Sequence, residues 1–137
     1  MELIFGIISA IIAIISLFIS IYTTKNSRYM VVDKYFECVE SETFIKAKKH
    51  VYTTDELSVD DEQAAIIVNF FHHWGLLAKK KYLPMWVFDG ATGKGMLRLY
   101  ERTKSYIEAR QKYNNDNTYG EYFLWLYNKV QKQMKNN

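Results

Sequence analysis

The chain has 137 residues, a formal net charge of +3 and 16% aromatic residues. This length suits one small folded domain and leaves no room for a second hydrophobic core. The excess of base is too small for a nucleic-acid-binding composition, and the single cysteine, Cys38, excludes an intrachain disulfide and a thiolate zinc site.

The first element is an apolar segment. Residues 3–22 contain no charged side chain, and a helix of that length, at about 1.5 Å per residue, crosses the hydrocarbon core of a bilayer. Glu2 precedes the segment, where a cleaved signal peptide has basic residues, so we expect an uncleaved anchor over residues 1–25. The alternative is a buried core helix, but a domain this small can hardly enclose a helix that is apolar on every side.

The charges that flank this segment predict its orientation. Lys25, Arg28 and Lys34 follow the segment, whereas only Glu2 and the amino terminus precede it. The positive-inside rule then places the N-terminus outside and residues 26–137 in the cytoplasm. The same three basic residues are candidates for contacts with lipid head groups.

Small residues form a stripe within the apolar segment. They recur at spacings of three and four, which places them on one face of a helix: Gly6, Ser9, Ala13, Ser16 and Ser20. Because apolar burial does not drive association between helices in lipid, association depends on the close approach that small residues permit. We expect this face to pack against a second copy or another membrane protein, although small residues are also common in helices that do not associate.

Helical spacing of apolar residues continues through residues 27–52, with a break at Ser41. Either Ser58 or Asp60 is then expected to cap a helix that runs from near Val59 to about Lys80. The apolar face of that helix should form much of the core: Ala64, Ile67, Phe71, Trp74 and Ala78. Gly75 within it indicates close packing against another helix.

Three further helices are predicted in the remainder of the chain. A short apolar helix begins at Pro84, a longer one spans about residues 92–113, and the last begins near Thr118. A polar tail is expected from residue 131 to the end. The predicted fold is therefore all-α, with a single N-terminal transmembrane helix and a cytosolic domain of about four to six helices.

Few residues offer chemistry. Adjacent helical residues such as His72 and His73 point about 100° apart and cannot share a metal ion in the usual i, i+4 manner, so both are expected to be structural. The glycine-rich residues 90–95 do not match the phosphate-loop pattern and are expected to form a flexible turn. Basic groups at residues 46–49 and 79–81 either meet anionic lipids or form a solvated face. We therefore predict no catalytic residue, metal or cofactor.

Several packing motifs carry a resemblance to a known family: Asn69-Phe70-Phe71, Trp74-Gly75-Leu76-Leu77, Leu83-Pro84, Val87-Phe88, Tyr106-Ile107-Glu108-Ala109-Arg110 and Tyr122-Phe123-Leu124-Trp125-Leu126. The chain resembles the bacterial domain-of-unknown-function 4760 family over most of its length. This resemblance implies a membrane helix followed by a helical cytosolic domain, located at the bacterial inner (cytoplasmic) membrane. It implies no catalytic residues.

The predicted function is a membrane-tethered interaction or scaffolding module, and not an enzyme. It would self-associate or bind a membrane or cytosolic protein at the cytoplasmic face, with the bilayer as its other partner and no nucleic acid. The alternative is a membrane-acting effector, such as a toxin or phage-defence component, that perturbs the bilayer when it oligomerises.

Overall fold

A computed structural model describes residues 1–136 of the chain, which are all-α and contain no strand. The five α-helices are α1 (Glu2–Val39), α2 (Glu42–Thr53), α3 (Glu62–Lys79), α4 (Ala91–Asn114) and α5 (Glu121–Lys135). A short 3-10 helix, Met85–Phe88, lies between α3 and α4. The predicted fold class is confirmed.

Helix α1 has two parts with different surroundings. Every residue from 1 to 30 is exposed, and this part is long and apolar enough to cross a membrane. Packing against the other helices begins only at Val31 and Val32, so the boundary set at residue 25 falls within a continuous helix. The helix ends where predicted, because the Ser41 hydroxyl accepts a hydrogen bond from the Phe44 N–H and so caps α2.

Helix α3 lies at the centre of the domain. Its predicted core face is buried at all five positions, and Val68 and Gly75 are buried with it. Rings from neighbouring helices pack on this face; Phe71 stacks on Phe123 of α5 with ring centroids 4.8 Å apart, and Phe70 lies 4.3 Å from Phe44 of α2.

The predicted close approach at Gly75 is confirmed. A methyl group at this position would overlap the backbone carbonyl of Tyr122. Glycine therefore allows α3 and α5 to pack with their backbones in contact, despite its lower helix propensity.

The predicted start of α3 and the predicted extent of α5 are wrong. Helix α3 begins at Glu62 and is capped by Asp61, whose carboxylate accepts the Ala64 N–H at 2.9 Å and also contacts His50 at 2.8 Å. Ser58 and Asp60 are therefore not the cap, because the capping residue directly precedes the first helical residue, Glu62. Helix α5 begins at Glu121 and continues through the expected polar tail to Lys135.

The continuation of α5 has a packing cause. Met134 packs against the core, and the Gln133 amide donates hydrogen bonds to the Met85 carbonyl and the Asp89 carboxylate. These contacts hold polar residues in a helix that their composition alone did not predict. Asn137, the last residue of the predicted tail, lies outside the described residues.

The glycine-rich segment is not a flexible turn. Gly90 has φ +62° and precedes α4, while residues 91–95 form the first turns of that helix. Gly93 is buried, and a side chain there would overlap the Phe88 carbonyl. Gly93 therefore allows close packing between the 3-10 helix and α4, and Gly90 allows the positive φ at the start of α4.

Candidate functional site

Helix α1 joins the domain through Tyr35. This ring is 1% exposed and is surrounded by Phe70, Trp74 and Phe88, at centroid distances of 5.9, 5.2 and 5.5 Å. Burial raises the pKa of the Tyr35 hydroxyl, which keeps it neutral. The contact sets α1 against α3 and against the 3-10 helix, and so fixes the direction in which the exposed part of α1 leaves the domain.

Helices α1 and α3 run antiparallel along this contact. Tyr35 meets Trp74, Val31 lies in a groove with Leu77, and Ser27 shares a cavity with Lys81. The C-terminal end of α3 therefore lies beside the part of α1 that directly follows the apolar segment. This is the place where the exposed helix and the folded domain meet.

The cavity at this meeting point has a volume of about 410 Å³. We call it the junction cavity, and it is lined by Thr24, Ser27, Arg28, Val31, Lys80, Lys81 and Tyr82. Three of these residues are cations and none is acidic. Within residues 1–136 neither Arg28 nor the two lysines form a salt bridge, since the two that occur are Lys34–Glu37 and His50–Asp61.

A second surface continues from the junction cavity around α1. Lys25, Arg28 and Tyr29 of α1 line a shallow depression together with Pro84 and Trp86. The side chains of Tyr29 and Trp86 are 55% and 54% exposed. Basic and aromatic side chains thus surround α1 on the side where the domain lies.

The predicted basic residues do not all share this location. Lys25 and Arg28 lie in the surface just described, but Lys34 pairs with Glu37 at 3.0 Å and lines a different, mainly apolar groove. Lys79 also points elsewhere, with its ammonium 5.4 Å from the centre of the Tyr122 ring. Lys80 and Lys81 are the members of that group that reach the junction cavity.

The small-residue stripe makes no contact with the domain. All five positions are exposed, and nothing lies within 4 Å of a side chain built at Gly6. Thr24 and Ser27 continue the same row at spacings of four and three, and they line the junction cavity. The stripe therefore leads into one edge of the contact between α1 and the domain.

The histidines and the cysteine are dispersed. Residues 1–136 hold no group of three or more His, Cys, Asp or Glu that could bind a metal ion. His72 packs beside the Tyr122 ring, and burial lowers its pKa. The structure does bring His73 and Cys38 to one apolar groove with Met30 and Leu77, a pairing that sequence spacing gave no reason to expect.

A further cavity, of about 540 Å³, lies between α4 and α5. Three acidic residues line it, Glu101 and Glu108 of α4 and Glu121 of α5, together with Lys104. The rings of Tyr100 and Tyr127, whose centroids are 4.3 Å apart, also line it. Sequence reasoning missed it, although Glu101 and Glu108 lie seven residues apart and so share a helix face. The cavity has an acidic rim and no evident ligand set.

Comparisons with protein-family models, with curated proteins and with solved structures find no match to this chain. The resemblance to the domain-of-unknown-function 4760 family therefore stays a prediction, and the site has to be interpreted from its own geometry.

Proposed function

We propose that this protein is a membrane-tethered helical interaction module. The first part of α1 crosses the bilayer once, and the domain lies in the cytoplasm against the membrane surface. There the domain binds a second copy or another protein, and its function requires no chemical reaction.

The observation that carries this proposal is the exposure of the apolar segment. Between residues 3 and 21, 13 Ile, Leu and Phe side chains are exposed. At roughly 1.5 kcal/mol for each such side chain, leaving them in water costs about 20 kcal/mol. That exceeds the net stability of a typical domain, about 5–15 kcal/mol. The apolar side chains of the segment therefore have to be buried outside the domain. A bilayer provides this burial and matches the length of the segment.

The orientation is supported by charges from two separate parts of the chain. Lys25 and Arg28 follow the apolar segment, and Lys80 and Lys81 lie beside them in the folded domain. The end of the segment beside the domain therefore carries more positive charge than the basic residues of α1 alone provide. The positive-inside rule favours the cytoplasm for this end.

An interaction role is supported by apolar surfaces that the domain leaves open. Met30, 71% exposed, borders the groove between α1 and α3, and the small-residue stripe lies above it on α1. Both surfaces suit helical partners, which pack against grooves and small-residue faces.

The test is fractionation of bacterial cells that express the full-length chain. We expect the chain to stay with the membrane pellet after alkaline carbonate extraction. An Ile8→Lys/Ile12→Lys/Ile15→Lys variant, which places three charges in the segment at about 3 kcal/mol each and removes three apolar side chains, should lose most of this retention. A wild-type chain that is released into the soluble fraction would contradict the proposal.

Orientation is tested with single cysteines in a Cys38→Ser background. We expect Tyr113→Cys, at a position 73% exposed in the domain, to react with an impermeant maleimide only in inside-out vesicles. Glu2→Cys should react in intact spheroplasts. Dye leakage from vesicles containing the wild-type chain would instead favour the membrane-acting effector.

A further inference from the structure

We propose that the junction cavity binds the phosphate of an anionic phospholipid from the leaflet that faces the domain. This inference rests on the proposed function, because it requires α1 to cross the bilayer. It adds a defined lipid site, formed by two parts of the chain that are distant in sequence.

The position of the cavity matches the head-group layer. The apolar segment ends at Tyr22, and the α1 residues that line the cavity are Thr24, Ser27, Arg28 and Val31. At about 1.5 Å per residue, Thr24 to Arg28 lie roughly 3–9 Å beyond the end of the segment. Lipid phosphates occupy this depth when the segment fills the hydrocarbon core.

The cavity offers cationic donors and no competing acid. The hydroxyls of Thr24 and Ser27 donate to the Ser20 and Thr23 carbonyls within α1, so they are not free to donate to a ligand. The side-chain donors that remain are the Tyr82 hydroxyl and three cationic groups, the Arg28 guanidinium and the Lys80 and Lys81 ammonium groups. Guanidinium and ammonium groups together form a typical phosphate-binding set, since they supply both directed hydrogen bonds and charge.

The backbone at Lys81 is a second, independent observation. Lys81 has φ +65°, a left-handed conformation in which glycine is the usual residue. Its N–H bonds to the Ala78 carbonyl and the Tyr82 N–H bonds to the Leu77 carbonyl, which ends α3 in a Schellman motif. A lysine at this position has a conformational cost that glycine would avoid. Such backbone strain is concentrated at functional sites, where the side chain contributes to binding. Here the side chain lines the cavity.

The charge balance favours an anionic over a zwitterionic lipid. Lys25 lines two depressions that share Arg28 with the junction cavity. Four cations therefore lie close together, and no acidic residue lines these surfaces. The choline of phosphatidylcholine would meet these cations with a like charge. Phosphatidylglycerol keeps its net negative charge and meets no such repulsion.

The test is native mass spectrometry of the full-length chain in detergent, titrated with phosphatidylglycerol or phosphatidylcholine. We expect the wild-type chain to bind phosphatidylglycerol more tightly. In Lys80→Gln/Lys81→Gly the apparent affinity for phosphatidylglycerol should fall by about 25-fold, taking roughly fivefold for each basic side chain near an anionic group. The control Lys104→Gln/Lys112→Gln removes two exposed lysines that do not line the cavity, and it should bind like the wild type.

The single variant Lys81→Gly separates lipid binding from folding. Glycine relieves the left-handed strain, so this variant should unfold at an equal or higher temperature and yet bind phosphatidylglycerol about fivefold more weakly. Equal binding of the two lipids by the wild type, or unchanged binding by the double variant, would overturn the lipid site. If lipid binding fails this test but the variants stay in the carbonate-resistant pellet, the lipid site is wrong and the proposed function stands. Release of the wild type from the pellet would contradict both the lipid site and the proposed function.

Discussion

Gly75 and Gly95 both lie inside helices, but their surroundings differ. A methyl group at Gly75 would overlap the Tyr122 carbonyl, whereas nothing lies within 4 Å of one at Gly95. We therefore expect Gly75→Ala to lower the free energy of unfolding by about 1–3 kcal/mol. Gly95→Ala should raise it by up to about 1 kcal/mol, the ordinary helix-propensity gain. Chemical unfolding of the full-length chain in detergent, followed by circular dichroism, measures both; equal effects would contradict the close packing of α3 and α5.

Asp61 makes a pH-dependent contribution at the start of α3. Burial alone would raise the pKa of its carboxyl, but the hydrogen bonds from the Ala64 N–H and from His50, together with the His50 charge, lower it overall. A group with a lowered folded-state pKa contributes stability above its unfolded pKa, near 4, and loses it as the pH falls through the folded value.

The effect of Asp61 is measured with two substitutions. Asp61→Ala removes the cap and should cost about 1 kcal/mol at pH 7. Asp61→Ser keeps a capping oxygen but lacks the carboxylate, so it should cost less. The difference in unfolding free energy between the wild type and Asp61→Ser should shrink as the pH is lowered from 6 to 3. A constant difference would contradict the lowered pKa of the Asp61 carboxyl.

At the scale of the element, the small-residue stripe and the domain constrain how α1 can pair. Thr24 and Ser27 extend the stripe to the junction cavity, so one edge of the domain lies below the stripe. In the proposed self-association, this edge limits how closely two copies can approach at the domain end of the stripe. We therefore expect the helices to cross, with their closest approach in the half that is distant from the domain. Small-residue faces commonly pair at such crossing angles, about 40°.

This geometry predicts an unequal effect of substitutions along the stripe. Gly6→Leu/Ala13→Leu should weaken self-association in a membrane two-hybrid assay more than Ser16→Leu/Ser20→Leu. Ile11→Leu/Ile15→Leu, on the opposite face of α1, is the matched control and should leave the signal unchanged. Equal loss along the stripe would contradict a crossed dimer, and no loss would contradict a role of this face in self-association.

Sequence patterns predicted the parts of this fold that depend on neighbouring residues. The break at Ser41, the buried face of α3 and the close contact at Gly75 follow from capping, helical periodicity and glycine chemistry. The extent of α5 did not, because Gln133 and Met134 are held in the helix by contacts to residues more than 40 positions away. Local propensity carries no information about such contacts.

The same distinction holds for the site in the whole molecule. Lys25 and Arg28 were predicted from their position after the apolar segment, and Lys80 and Lys81 were considered as a separate group. Their assembly into one cavity depends on α3 running antiparallel to α1, which the packing around Tyr35 determines. The exposure of Trp86 was not predicted, because the residues around it indicated only a short apolar helix.

On the proposed topology, the packing of Tyr35 against α3 and the 3-10 helix predicts how the domain lies on the bilayer. Trp86 is 54% exposed and lies beside Lys25 and Arg28, directly below the apolar segment. Tryptophan favours the interface between head groups and acyl chains, so Trp86 should rest there. Trp74, 6% exposed in the core, and Trp125 of α5 do not line this surface.

Tryptophan fluorescence of the full-length chain in vesicles tests this placement. Lipids brominated near the head of the acyl chain should quench the wild type, and Trp86→Phe should abolish most of that quenching. Trp125→Phe is the matched control. It should still be quenched, because this substitution removes only the emission of a ring that lies outside the interface. Quenching that survives in Trp86→Phe but disappears in Trp125→Phe would mean that the domain meets the bilayer through α5. In that arrangement Lys80 and Lys81 would lie away from the lipid phosphates. The reason is that these lysines lie beside α1, on a different face of the domain from α5.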